Sequence, residues 1–132
     1  MSYKVEKTKV EWQQELAPDE YKVLREAATE PAWTGALLDE HGDGMFKCKA
    51  CSAPLFKSTT KFDSGSGWPS FYEPVTADAV ELVEDRSWFM KRTEVLCATC
   101  GSHLGHLFDD APQTPTGDRF CMNSISLEFD EE

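Results

Sequence analysis

The chain has 132 residues, the size of one domain that can bury a core yet is small enough to gain from a metal staple. Asp and Glu number 24 against 13 Lys and Arg, and the formal net charge of −11 repels a phosphate backbone, so nucleic-acid binding is excluded as an expected function. No run approaches the roughly 20 apolar residues of a bilayer span, and residues 1 to 12 carry lysines without the apolar stretch of an export signal. The expectation is a soluble cytoplasmic protein with no membrane partner, monomeric by default.

Taken in chain order, the whole chain, 1 to 132, is expected to be a single domain, with residues 1 to 8 expected as a flexible lead. Thr8 followed by Glu11 has capping-box spacing, and Trp12 and Leu16 stand four apart, which predicts a short helix over residues 9 to 16. Pro18 restarts the chain. Asp19 and Glu20 suit a helix N-terminus, Val23, Leu24, Ala27 and Ala28 supply an apolar stripe, and Pro31 closes the run, so a second helix is predicted near 18 to 28. From Gly35 the text changes to short apolar or alternating runs broken by Gly, Pro, Asp and Ser, the pattern of a mainly β, antiparallel domain with many turns. Strands are predicted over 45 to 47, 55 to 56, 80 to 83 and 87 to 96, with 84 to 86 as a connecting turn. A loop over 109 to 118, holding Pro112, Pro115 and Gly117, leads to a last strand from Arg119 to about Phe129, and the acidic end of the chain is a solvated tail.

Five cysteines divide into two C-x-x-C pairs, Cys48/Cys51 and Cys97/Cys100, and a solitary Cys121. Two such pairs bring four thiolates to one tetrahedral ion and close it to water and substrate, so one structural zinc ion is expected, clamping segments far apart in sequence. The competing readings are two redox-active dithiols or four ordinary buried thiols.

Cys121 is left over for chemistry. If residues 119 to 124 form a strand, its period of two sets Arg119, Cys121 and Asn123 on one face, where a guanidinium would favour the thiolate of a nucleophile. The bland alternative is a small buried hydrophobe beside a surface charge. His103 and His106 follow the second cysteine pair, with Gly101 and Gly105 letting the backbone bend around them. Four cysteines already fill an ion, so these imidazoles suit proton transfer or hydrogen bonding better than ligation. Trp68, in a glycine-interrupted loop and fixed by Pro69, can wall a pocket for an apolar, polarisable group such as a methyl-sulfur, or can be a core residue.

The two cysteine pairs, GWPSF at Gly67 to Phe71, TEVLC at Thr93 to Cys97, SHLGH at Ser102 to His106 and RFCMNS at Arg119 to Ser124 resemble the B-type methionine sulfoxide reductases, which act on the R epimer. The match runs in order from about residue 10. The resemblance implies a β-tent-like domain of two antiparallel sheets with short N-terminal helices and a structural zinc. It also implies Cys121 as the sulfoxide-attacking nucleophile, Trp68 as the cradle of the substrate methyl group, and His103, His106, Arg119 and Asn123 as residues of the same active site. Substrates would be proteins or peptides carrying methionine R-sulfoxide.

One departure stands out. Many members carry a resolving cysteine where this chain has Ser66, and the other four thiols are assigned to zinc. A sulfenic acid on Cys121 is therefore expected to be reduced from outside, by thioredoxin or another thiol, rather than by recruiting a zinc thiolate at the expense of the metal. Two rival readings are a non-catalytic zinc-stabilised β module that binds a ligand or peptide against Trp68, and an oxidant sensor reacting at the C-x-x-C pairs.

Overall fold

A computed structural model describes residues 3 to 85 and 92 to 131. Two short helices lead: α1 (Lys9–Glu15) and α2 (Pro18–Glu26). The Thr8 hydroxyl accepts from the Glu11 amide at 3.2 Å, and the Glu11 carboxylate accepts from the Thr8 amide at 2.9 Å, so the capping box forms as its spacing requires. Helix α2 ends at Glu26, two residues short of the expected 28. Ala27 turns left-handed at φ 58°, so the backbone itself stops the helix four residues before Pro31.

The rest is β structure in two antiparallel sheets among the described residues. Strands β1 (Gly44–Cys48), β2 (Pro54–Lys57) and β9 (Leu127–Glu131) form the smaller sheet in the order β2-β1-β9. The larger sheet has the order β3-β4-β8-β7-β6-β5, from β3 (Lys61–Phe62), β4 (Ser70–Phe71), β5 (Val80–Asp85), β6 (Arg92–Cys97), β7 (His103–Phe108) and β8 (Arg119–Met122). The mainly β, two-sheet expectation with short N-terminal helices is met.

Facing apolar residues of both sheets make the core. Phe46, Phe56 and Phe71 are fully buried, with Phe56 stacked on Phe71 at 4.4 Å between ring centroids and Phe46 set edge-on to Phe71 at 5.0 Å. Burying each such ring contributes about 1.5–3 kcal/mol, and the aromatic geometry adds to it. The helices join this core through Trp12, Leu16 and Leu24. Arg25 stacks over Trp12 at 4.6 Å and donates to the Cys100 carbonyl at 3.0 Å, tying the helical lead to the second cysteine pair.

Two expected boundaries shift. Glu84 and Asp85 do not turn: they continue β5, paired with Thr93 and Arg92, and the expected strand residues 87 to 91 lie outside the described residues. The last strand is two strands in different sheets. β8 stops at Met122, a 3₁₀ turn over Ser124–Ser126 redirects the chain, and β9 then pairs with β1. Asn123 therefore stands at the corner where the chain changes sheets, its amide nitrogen donating to the Leu104 carbonyl at 2.9 Å. The apolar alternation changes phase at this corner, from Phe120 and Met122 to Ile125, Leu127 and Phe129, while both halves still face the same core.

Candidate active site and metal centre

Each C-x-x-C pair caps a strand. Cys48 ends β1 and Cys97 ends β6, and the turns beyond them carry matching hydrogen bonds: the Ser52 amide to the Cys48 carbonyl at 2.8 Å, and the Gly101 amide to the Cys97 carbonyl at 2.7 Å. Ser52 and Gly101 occupy equivalent left-handed positions at φ 65° and 77°. The repeated turn points two sulfurs from each knuckle at one place. All four lie within 4.8 Å of one another, with Cys48 Sγ 3.7 Å from Cys100 Sγ and Cys51 Sγ 3.6 Å from Cys97 Sγ. Sulfurs at about 2.3 Å around a tetrahedral ion stand about 3.8 Å apart, so the set fits a metal ion. Hydrogen bonding from Cys100 first, then Cys51 and Cys97, drives the Cys48 thiol up, while the reciprocal bond from Cys48 drives Cys100 down. Four sulfurs so crowded cannot all ionise without a cation between them.

Cys121 lies outside this cluster. It sits in β8, at the centre of the larger sheet, opposite His106 of β7 on one side and Ser70 of β4 on the other. It lines a cavity of about 190 Å³ together with His106, Asn123, Arg119, Trp68 and Ser66. Five of the side chains singled out from sequence therefore meet in one place, with Ser66 beside them.

His106 reaches the cavity because of a bulge. Residues three apart on a regular strand point to opposite faces, but the pairing jumps from Leu96↔His103 to Val95↔Gly105, leaving Leu104 as an extra residue and restoring the phase. The two imidazoles become neighbours, edge-on at 5.4 Å. They do not play equal parts: His103 is 3 % exposed, does not line the cavity, and holds Glu94 Oε2 at 2.7 Å through Nδ1. Among the described residues its Nε2 has no hydrogen-bond partner. Gly105 is required by close approach, since a Cβ there would lie 2.9 Å from Met122 Cα and in hard contact with the Cys121 carbonyl oxygen.

Arg119 favours the Cys121 thiolate as expected, but a larger influence opposes it. Burial pushes the thiol above its ordinary value, and it outweighs the lowering by the Arg119 charge and by hydrogen bonds from Ser66 and Arg119. Arg119 itself is committed to Asp110 through two bonds, at 2.9 and 3.0 Å, and lies over the Phe108 ring at 4.4 Å. The carboxylate spends part of the cation's field.

A segment missed from sequence holds the cavity wall. The Glu30 carbonyl accepts from Trp68 Nε1 at 2.9 Å, its amide donates to Asn123 Oδ1 at 3.0 Å, and its buried carboxylate accepts from the Ile125 amide at 2.9 Å. Asn123 completes its amide by donating from Nδ2 to the Leu104 carbonyl at 3.1 Å. Thr29, Phe108 and Arg92 also line the cavity and were not foreseen. The acid in Thr29-Glu30-Pro31 could have drawn attention, but no periodicity marks it as buried.

Residues 16–131 match the model of the SelR domain family. The chain is 61 % identical over 130 residues to a protein of Leifsonia xyli subsp. xyli named peptide methionine sulfoxide reductase MsrB, covering 98 % of this chain and 94 % of that one. Proteins of the same name from Leptospira interrogans and Methanosarcina mazei are 52 % and 51 % identical, covering 100 % of both chains in the first case and 98 % of this chain and 91 % of the relative in the second. With the motifs of the cavity and both cysteine pairs inside the matched span, this chain belongs to the SelR-domain family, that of the MsrB peptide methionine sulfoxide reductases.

Proposed function

We propose that this protein is a peptide-methionine (R)-S-oxide reductase that works through Cys121 and is stapled by one zinc ion at Cys48, Cys51, Cys97 and Cys100. The observation that carries the reading is Cys121 paired with His106 across β7 and β8, in a cavity walled by Trp68 and apart from the cysteine cluster. A zinc held by four thiolates has no open position, so it supplies stability and no step of the reaction.

A methionine sulfoxide enters with its methyl group against Trp68 and its oxygen towards His106. The Cys121 sulfur attacks the sulfoxide sulfur, and the oxygen gains the proton that the thiol gives up, directly or through His106. Burial raises the Cys121 thiol, so its proton has to leave the sulfur as the attack proceeds and can pass to the sulfoxide oxygen. The hydroxyl then passes from the methionine sulfur to the Cys121 sulfur as the bond between the two sulfurs breaks, leaving methionine and a sulfenic acid on Cys121. His103, held by Glu94, packs edge-on against His106 from outside the cavity and so helps to position it. Asn123 keeps the corner in shape, and Arg119 provides positive potential that its Asp110 partner tempers.

Ser66 stands beside the Cys121 sulfur and cannot form a disulfide with it. The sulfenic acid therefore condenses with an external thiol, releasing water, and a second thiol, or the second cysteine of a thioredoxin, frees Cys121 as the reductant's disulfide leaves. The non-catalytic module is not favoured, since a pocket that only binds has no use for a cysteine paired with a histidine.

The test is reduction of resolved methionine sulfoxide epimers with dithiothreitol, comparing the wild type with Cys121→Ser. Turnover of the R epimer alone, lost in the variant while zinc stays at one per chain, is the expected result. Substrate binding without turnover in either protein would overturn the reading.

A further inference from the structure

The loop that carries Trp68 has a second concave side. A cleft of about 100 Å³ adjoins the catalytic cavity and shares Trp68 with it: Ser66 faces the cavity, while Gly65 and Gly67 border the cleft. Its outer wall is Trp33, 66 % exposed and the most exposed of the large apolar side chains among the described residues. Trp33 is held out deliberately. Its backbone is left-handed at φ 70°, which a bulky residue rarely adopts, and its amide donates to the Gly67 carbonyl at 2.7 Å. A Cβ on Gly67 would lie 3.0 Å from Trp33 Nε1 and 2.8 Å from Ala32 Cβ, so the glycine is needed for the two loops to meet.

The rim is acidic. Asp39 and Asp63, both exposed, and Glu40 bear on Lys61, whose ammonium is already donated to the Leu38 carbonyl at 2.8 Å. Of the titratable residues that line the cleft, Asp39 and Asp63 are acidic and Lys61 and His41 basic, and Glu40 adds a third carboxylate beside Lys61.

We propose that this cleft is a substrate subsite that takes a lysine or arginine side chain flanking the oxidised methionine of a polypeptide, with the cation over Trp33 and its charge met by Asp39 and Asp63. The proposal rests on the reductase reading of the Trp68 cavity. Continuity through Trp68 places a neighbouring residue of the same peptide within reach, and an exposed indole beside exposed carboxylates is the arrangement that recognises a cation on a hydrocarbon stem.

The experiment compares kcat/KM for acetyl-Lys-Met(O)-Lys-amide and acetyl-Glu-Met(O)-Glu-amide, both as R-sulfoxides at low ionic strength, with free methionine R-sulfoxide as reference. The wild type is expected to favour the lysine peptide on the order of tenfold. Trp33→Ala and the Asp39→Asn/Asp63→Asn pair should bring that ratio close to one. The control Glu26→Gln/Glu131→Gln, which removes the same charge from exposed sites elsewhere, should keep it. The ratio is the quantity read, so a loss of turnover common to both peptides leaves the test intact. Equal kcat/KM for the two peptides in the wild type, or a ratio that survives Trp33→Ala, would overturn the subsite. A ratio that falls equally in the control would reduce it to overall charge. Failure to reduce even the free sulfoxide would instead remove the reductase reading.

Discussion

Gly105→Ala isolates the contact that seats His106 against Cys121. The added Cβ would collide with the Cys121 carbonyl oxygen and lie 2.9 Å from Met122 Cα, all of it backbone within a paired ladder, so no side chain can swing aside. Strands β7 and β8 must part by most of an ångström, just where His106 faces Cys121. Overpacking costs roughly 1–3 kcal/mol where side chains can adjust, and backbone contact puts this site at about 3 kcal/mol or above. Displacing a reacting pair by about 1 Å costs on the order of 100-fold in rate. Gly65→Ala separates crowding from backbone strain: φ is 73° there and none of the described residues lies within 4 Å of its Cβ, so a left-handed alanine should cost only about 1–2 kcal/mol. Urea unfolding, with kcat on a resolved R-sulfoxide measured in parallel, reads both quantities. If Gly105→Ala stays within about 0.5 kcal/mol of the wild type with unchanged kcat, the close approach of β7 and β8 does not set the site.

Other perturbations test separate parts. Cys48→Ser removes one of four crowded sulfurs and should abolish stoichiometric zinc, with loss of cooperative unfolding in circular dichroism; a stable, active, zinc-free variant would contradict the staple. Ser66→Cys places a thiol beside Cys121, so one equivalent of sulfoxide should yield an intramolecular disulfide by intact mass, whereas the wild type should hold a single added oxygen on Cys121. Burial raises the Cys121 thiol, so its alkylation by iodoacetamide should climb with pH to a midpoint above the ordinary value of about 8.5. Arg119→Met removes the largest lowering influence and should move that midpoint higher still; a fall would refute the assigned field. The linked stability has the matching sign: the buried neutral thiol contributes below the unfolded pKa, and the contribution fades as pH rises through the raised folded value.

The sequence is most legible where one residue type has one physical use. Two C-x-x-C pairs admit few arrangements, and both close on a single point. The Thr8–Glu11 spacing likewise dictates its own hydrogen bonds. Cys121 beside His106 is harder to read, because His103 and His106 three apart on a strand should diverge, and only the bulge at Leu104 brings them together. Gly105 is the local sign of that contact, yet a glycine alone does not say which backbone approaches it. The corner at Asn123 leaves one sign, the shift of apolar phase from Phe120 and Met122 to Leu127 and Phe129, but a phase shift alone does not say whether a strand bulges or changes sheets.

Glu30 lay furthest out of reach. Nothing local distinguishes a carboxylate that will be 3 % exposed from a solvated one, because its partners, Trp68, Asn123 and Ile125, are up to 95 residues away. Yet that segment determines how much room the cavity has. One turn of chain after α2 accepts the Trp68 indole through a carbonyl and grips the Asn123 side chain through an amide, so the wall and the corner of the cavity cannot move independently. Epimer choice depends on holding the methyl group and the oxygen of the sulfoxide at fixed, different walls. On this geometry the selectivity of the proposed reductase resides as much in the 29 to 33 segment as in the reacting sulfur, and a variant that loosens Glu30 should lose R-over-S discrimination before it loses Cys121 reactivity towards an alkylating reagent.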